Sequence, residues 1–107
     1  MADESITGTG KCPFCEIVDG KIPAKVVAED DNHLAFLDIN PRNPGHTLVI
    51  PKKHYASILE IPEEEAGNLF RFVKKVATGV FIGIKADGVS IAQSNGFSAG
   101  QMVPHMH

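Results

Sequence analysis

The chain has 107 residues, of which 43% are hydrophobic and 21% charged, and its formal net charge is -3. This length suffices for one domain with one core, and the composition is that of an ordinary globular protein. The slightly acidic balance gives no general reason to expect nucleic acid or an anionic membrane as a partner.

The N-terminal residues 1–10 are small and polar, and we expect a flexible tail there rather than a signal peptide, because they contain no apolar run. Residues 11–107 are predicted to form a single domain. The sequence holds two cysteines, Cys12 and Cys15, in a C-x-x-C pair. A disulfide framework needs more cysteines, so we expect a reduced, cytoplasmic protein.

The first half of the domain is predicted to contain a short helix and three strands. Apolar spacing places the helix at 11–21, and alternating or apolar runs place the strands at 24–28, 34–39 and 46–50. Turn-forming residues separate the first two strands and predict a hairpin.

The second half is predicted to begin with one long helix at 62–85, whose apolar residues recur every three or four positions. Two further strands are predicted at 89–93 and 102–107, with a loop of small residues between them. Together these elements indicate an α+β fold. We expect about five antiparallel strands, one long helix and one short N-terminal helix.

The last residues of the sequence, Pro-His-Met-His, place His105 and His107 two positions apart. On a strand, alternate side chains share a face, so both imidazoles would project the same way. The loop at 94–101 has small residues that let backbone N–H groups approach a phosphate. The same two histidines are equally typical of an exposed edge strand, and both interpretations stay open at this point.

Several motifs in one order resemble the histidine-triad family, and the resemblance extends from Cys12 to His107. They are Cys-x-x-Cys-x-Ile-Val-x-Gly-x-Ile-Pro at 12–23, Leu-Ala-Phe-Leu-Asp-Ile at 34–39, Pro-Gly-His-Thr-Leu-Val-Ile-Pro-Lys-Lys-His at 44–54 and Val-Pro-His-Met-His at 103–107. Several spaced motifs are far more specific than any one of them. The family signature has a third histidine, which would fall two residues beyond His107. We therefore expect an incomplete last strand and little turnover.

The resemblance implies an enzyme that acts at the α-phosphate of purine nucleotides, either dinucleoside polyphosphates or nucleoside phosphoramidates. His107 would be the nucleophile and would form a nucleotidyl-histidine intermediate. The backbone carbonyl of His105, the first histidine of the catalytic motif, would hold the other ring nitrogen of His107 and fix its tautomer. His46 would support this cluster, although a hydrogen-bonded core histidine is the alternative for it.

The resemblance also implies two sets of nucleotide-binding residues. The nucleoside would contact Phe14, Ile17, Ile22, Phe36, Asp38 and Ile39. The phosphate would contact Ser94, Gly100, Gln101, Met102 and Val103. Asp38 would accept the ribose hydroxyls, with a solvated aspartate at the end of a strand as the alternative. Met102 stands where phosphoramidase-type members carry serine, which weighs against that branch.

A structural zinc site is the third implication of the resemblance. Its Cys2His2 ligands to Zn2+ would be Cys12, Cys15, His54 and His105. A redox dithiol is the rival, but it calls for a βαβ context, and the pair here precedes any predicted strand. Inert thiols remain the other alternative.

The resemblance further implies a homodimer, paired through the long helix and an adjacent strand. Three functions therefore stay open. The first is a nucleotide hydrolase, and the second is a nucleotide-binding, zinc-stabilised module with little or no turnover because the triad is incomplete. The third is a zinc-stabilised dimerisation scaffold.

Overall fold

The computed structural model describes residues 12–41 and 43–107, so the predicted tail at 1–10 lies outside the described residues. In chain order the elements are α1 (Pro13–Val18), β1 (Val26–Glu29), β2 (His33–Leu37), β3 (Thr47–Pro51), α2 (Glu63–Gly83) and a 3₁₀ turn (Phe97–Ala99). The predicted short helix, first three strands and long helix are all present, with ends shifted by a few residues.

The three strands form one antiparallel sheet in the order β1-β2-β3. Strand β2 pairs with β3 without interruption, from His33 opposite Pro51 to Leu37 opposite Thr47. Four of the five β2 residues are buried. A continuous central strand of this kind has both faces covered, and its two faces pack against different parts of the chain.

The faces of β2 follow the two-residue alternation of a strand. Leu34 and Phe36 point to one side, where they pack with Cys12 and Phe14 from the α1 segment. Ala35 points to the other side, where it packs with the α2 residues Phe72 and Val76. The sheet therefore lies between α1 and α2.

Helix α2 starts after Pro62, and its first turn carries three glutamates, which suit the positive end of the helix dipole. Its buried side chains, Leu69, Phe72 and Val76, lie on one stripe that faces the sheet. Leu69 packs with Tyr55 and Met106, so the helix also covers the segment after β3 and the C-terminal residues.

The α+β class with an antiparallel sheet and one long helix is confirmed, but the described residues contain three paired strands rather than about five. Segments 89–93 and 102–107 form no strand in that part of the chain. Val89 and Ile91 are 56% and 59% exposed, so their alternation reflects no packing against this core. Near the C-terminus the Met106 N–H donates to the Tyr55 carbonyl at 2.7 Å. This single hydrogen bond holds Met106 in place but does not pair the segment as a strand.

Among the described residues, no helix is both long and apolar enough to cross a membrane.

Candidate metal centre and active site

The four residues implied as metal ligands converge at one point between α1, the segment after β3 and the C-terminal residues. Their ligand atoms all lie within 4.8 Å of one another. The local fold of α1 brings the two sulfurs together, because the Cys12 Sγ caps the helix by accepting the N–H of Cys15 at 3.4 Å. His54 follows β3 by three residues, and His105 enters from the other end of the sequence.

The distances within this cluster fit a tetrahedral ion. The Cys12 Sγ lies 3.4 Å and the Cys15 Sγ 3.5 Å from His105 Nδ1, and the Cys15 Sγ lies 3.3 Å from His54 Nδ1. The two Nδ1 atoms are 3.0 Å apart. Zinc bonds of about 2.3 Å to sulfur and about 2.0 Å to nitrogen give tetrahedral ligand separations of roughly 3.3–3.8 Å. The three sulfur–nitrogen distances lie within this range, and the two Nδ1 atoms lie slightly closer together than it. Two thiols and two imidazoles at these separations could hold a metal ion with no position left for substrate.

His105 is fully buried, and both of its ring nitrogens have defined contacts. Its Nε2 lies 2.9 Å from the Pro51 carbonyl oxygen, so Nε2–H donates and the lone pair on Nδ1 faces the sulfurs. Burial lowers the pKa of His105 to about 4, which keeps the ring neutral near pH 7. A neutral imidazole oriented by a carbonyl on its far side is the form that binds metal ions.

The cysteine pair is poorly suited to redox exchange. Burial, followed by the neighbouring Cys12, raises the pKa of the Cys15 thiol to about 12. The thiolate is the nucleophile in disulfide exchange, so a thiol that stays protonated is inert. A coordinated metal ion would stabilise the thiolate directly. The geometry of the pair and the raised pKa of Cys15 therefore favour metal ligands over a redox dithiol.

His107 makes the backbone contact that the resemblance implied. Its Nδ1 lies 2.8 Å from the carbonyl oxygen of His105, so Nδ1–H donates and Nε2 keeps its lone pair. The Phe14 ring meets the His107 ring edge-on, with centroids 5.1 Å apart. His107 is half-buried, in contrast to the fully buried His105. The ring is thus held in one tautomer while its other nitrogen stays available to a ligand.

The residues implied for the nucleoside fall into two groups. Phe14 and Phe36 pack edge-on at 5.6 Å, and Ile17 packs against the same cluster. Ile22 and Ile39 are exposed. Asp38 comes directly after β2 and is half-buried.

Asp38 and His46 lie side by side, with His46 Nε2 3.5 Å from the Asp38 carboxylate. Their backbones also meet, because the Asp38 N–H donates to the His46 carbonyl at 3.1 Å. The structure thus links His46 to the implied ribose acceptor. Its support of the histidine cluster stays a prediction.

The segment before His105 is a compact loop shaped by two glycines. Gly96 and Gly100 have φ angles of +93° and +96°, which L-residues with side chains rarely adopt, and they flank the 3₁₀ turn. Gln101 is buried and braces this loop: its Nε2 donates to the carbonyls of Ala56 at 2.6 Å and Val103 at 3.0 Å. Its Oε1 accepts the Gly96 N–H at 2.7 Å. Gln101 therefore shapes the implied phosphate loop from inside.

The other residues implied for the phosphate line the same loop. Val103 packs against the core beside α1, Ser94 is half-buried and Met102 is 75% exposed. The carbonyl of Pro51 and the bracing contacts of Gln101 have no sequence signal, because every residue has a carbonyl and the partners are distant in sequence. Direct nucleotide contact by these residues stays a prediction.

Comparisons with known proteins place the chain in a family. The family model of the HIT domain matches residues 19–107. This chain belongs to the HIT family. It is 54% identical over 96 residues to an uncharacterized HIT-like protein of Methanocaldococcus jannaschii, a match covering 90% of this chain and 74% of that protein. It is 43% identical to adenosine 5'-monophosphoramidase hnt1 of Schizosaccharomyces pombe, over 90% of this chain and 69% of that protein.

The fold is shared with solved HIT structures as well. A crystal structure of a zinc-bound histidine triad family protein from Mycobacterium smegmatis matches with a TM-score of 0.87 and 40% identity, covering 94% of this chain and 73% of that one. In this HIT domain the Cys2His2 cluster could hold a metal ion. The family includes hydrolases of nucleotides, as the name of the fission-yeast relative shows.

Proposed function

We propose that this HIT domain cleaves the bond between the α-phosphate of a purine nucleotide and its leaving group, through a nucleotidyl-histidine on His107. The observation that carries the proposal is the 2.8 Å contact from His107 Nδ1 to the His105 carbonyl. It places the proton on Nδ1 and leaves the lone pair of Nε2 for attack. An imidazole in this tautomer is a competent nucleophile at neutral pH.

The reaction has two steps. The Nε2 lone pair forms a bond to the α-phosphorus, and the bond to the leaving group breaks, with that group taking the electron pair and a proton from solvent. Water then attacks the same phosphorus and releases a proton to solvent, the P–N bond breaks and Nε2 regains its lone pair. The bent loop at Gly96–Gly100 lies directly before the reacting segment. Gly96, Ala99 and Gly100 donate their N–H groups within this loop, so the phosphate charge would be met by the neighbouring residues Ser94, Met102 and Val103.

The relatives and the implied pocket residues support the proposed substrate class. The fission-yeast relative is named for adenosine 5'-monophosphoramidase activity, so an adenosine phosphoramidate is the first substrate to test. Dinucleoside polyphosphates present the same α-phosphate with a different leaving group. The exposed Met102, in place of the serine of phosphoramidase-type members, favours comparing both substrates.

The experiment measures AMP release from adenosine phosphoramidate and from diadenosine polyphosphate by the full chain. His107→Asn should abolish release, by roughly a thousandfold or more if the residue is the nucleophile, while AMP binding stays within a few-fold. His33→Asn, a histidine on β2 paired with Asp30, is the matched control and should keep the turnover. Binding of AMP without any turnover would instead favour the nucleotide-binding module. Absence of both would favour the zinc-stabilised scaffold.

Zn2+ is the ion we propose for the Cys2His2 cluster, in a structural role. All four tetrahedral positions would be taken by protein atoms, which is the arrangement of closed structural sites. Both cysteines are free thiols, and a zinc thiolate site needs a reducing environment. A cytoplasmic location fits that requirement.

A homodimer is the assembly we propose. The face of α2 away from the sheet forms an apolar groove with the segment at 89–91. Its apolar lining residues are Phe70, Val73, Ala77, Phe81, Val89 and Ile91. Exposed apolar surface of this extent marks an interaction site, and a second copy of the same helix face fits it by symmetry.

A further inference from the structure

The metal-binding cluster and the reactive histidine are joined through a single residue, His105. The His105 Nδ1 contacts Cys12, Cys15 and His54 at 3.0–3.5 Å. Its Nε2 contacts the Pro51 carbonyl at 2.9 Å. Its own carbonyl accepts from His107 Nδ1 at 2.8 Å. The two ring nitrogens of this fully buried residue therefore hold it in place, and its backbone carbonyl holds His107.

A second, independent connection runs through Phe14. This residue lies between the two cysteines in sequence and is buried at the start of α1. Its ring packs edge-on against both His107, at 5.1 Å, and His105, at 5.8 Å. The C-x-x-C segment thus supplies sulfurs to the cluster at both of its ends and a ring to His107 from its middle.

We propose that loading the Cys2His2 cluster with its ion sets the orientation and tautomer of His107, so that the metal centre is a positioning device as well as a structural clamp. The proposal rests on the proposed role of His107 as nucleophile. His105 and Phe14 are the positioning residues. Coordination fixes the His105 ring and with it the carbonyl that holds Nδ1–H, and it fixes the α1 turn that carries Phe14. Outer contacts of this type orient functional groups in metal sites.

The prediction for the loaded protein is a single His107 tautomer with the proton on Nδ1. A free imidazole exchanges between tautomers, and one net hydrogen bond changes such an equilibrium by about fivefold. Removing the ion should therefore shift His107 towards the Nε2–H tautomer by about fivefold or more. A purely structural clamp would lower stability on metal removal and leave the tautomer ratio unchanged.

The experiment is NMR of the full chain with ¹⁵N-labelled histidine, recorded during titration of Zn2+ into chelator-treated protein. His33 is an internal control in the same spectrum, since its Nδ1 pairs with Asp30 at 2.9 Å and its ring stacks on Phe72, on the other side of the sheet. We expect the His107 tautomer to change with metal occupancy while the His33 tautomer does not. An unchanged His107 tautomer across the titration would overturn the proposal.

Two further arms keep the test decisive if the chelated protein unfolds. Exchange of Zn2+ for the larger Cd2+ keeps the cluster occupied, and it should move the His107 ring ¹⁵N shifts but not those of His33. Phe14→Leu in the zinc-loaded protein should keep one zinc per chain and still shift the tautomer ratio of His107. If the ring ¹⁵N shifts of His107 stay unchanged in both arms, the proposal is wrong. No nucleotide is present in any arm, so failure here leaves the proposed hydrolysis standing, and absence of turnover leaves this result standing.

Discussion

The metal end of the molecule and the outer face of α2 are both rich in apolar residues, yet their surroundings differ. At the metal end, Cys12, Phe14, His105 and Met106 are each at most 7% exposed, and the polar ring atoms of His105 have partners within the chain. On the outer face, Phe70 is 41% exposed, and Ile91, which lines the same groove from the segment after the helix, is 59% exposed. Both regions are apolar in sequence, but only the metal end is buried by other residues of the same chain.

The difference shows what kind of information each region needs. The metal end is specified by a few residues of defined chemistry, drawn from three separate parts of the chain and fixed by distances near 3 Å. The outer face is specified only by hydrophobic spacing. Such spacing indicates that a partner packs on the surface but does not indicate which partner. A single polar substitution at the metal end should therefore lower the stability of the fold. A single polar substitution on the outer face of α2 should instead weaken the association of two chains.

The largest effect is expected from His54→Asn. Loss of one ligand should release the zinc and lower the free energy of unfolding by an amount on the order of several kcal/mol, because metal binding couples to folding. Metal analysis and thermal unfolding measure both. The control is His33→Asn, which disturbs a buried histidine outside the cluster and should keep one zinc per chain. Equal zinc content in the two variants would contradict the assignment of His54 as a metal ligand.

Acidification should also act on the metal end. Burial holds the pKa of His105 at about 4, below the usual 6.5, so the folded state resists protonation while the unfolded state accepts the proton. The contribution is complete above pH 6.5 and is lost as the pH falls towards 4, by about 3 kcal/mol at most. Proton competition for the metal ligands has the same sign. Unfolding free energy that stays level between pH 6.5 and 4 would contradict this assignment.

Asp38→Asn should weaken AMP binding more than it changes stability. Each charge-assisted hydrogen bond to a ribose hydroxyl contributes about 1.5–3 kcal/mol, so affinity should fall by at least tenfold. The control is Asp31→Asn, an exposed carboxylate in the turn before β2. If calorimetry gives the same affinity for both variants, the ribose is held elsewhere.

The smallest effect is expected on the outer face of α2. Ile91→Glu places a charge in the apolar groove and should raise the dimer dissociation constant by about tenfold, which corresponds to about 1.4 kcal/mol. Leu59→Glu is the control, because Leu59 is 87% exposed and lies outside the groove. Light scattering across a dilution series measures the mass. A wild-type chain that is monomeric at micromolar concentration would end the dimer proposal.

Much of this comparison could be anticipated from the sequence. The spacing rules placed α1, the three strands and α2, and the family resemblance brought together the four metal ligands, which periodicity alone could not do. The pattern at 89–93 failed, because alternation predicts a strand only where a neighbouring edge and a core face exist to receive it. The contact of Gln101 with phosphate stays a prediction, and its amide also braces the loop against Ala56, a contact between residues 45 positions apart that no sequence pattern indicates.

The role of His107 is the claim on which the proposed chemistry and the positioning role of the metal centre depend. The most direct measurement traps the covalent intermediate. The reaction with adenosine phosphoramidate is quenched rapidly without acid, and peptide mass mapping then finds which of the five histidines carries AMP. We predict AMP on the peptide that contains His107, and none on those containing His33, His46 or His54. AMP attached to another histidine, or turnover with no covalent adduct and no loss in His107→Asn, would contradict the account.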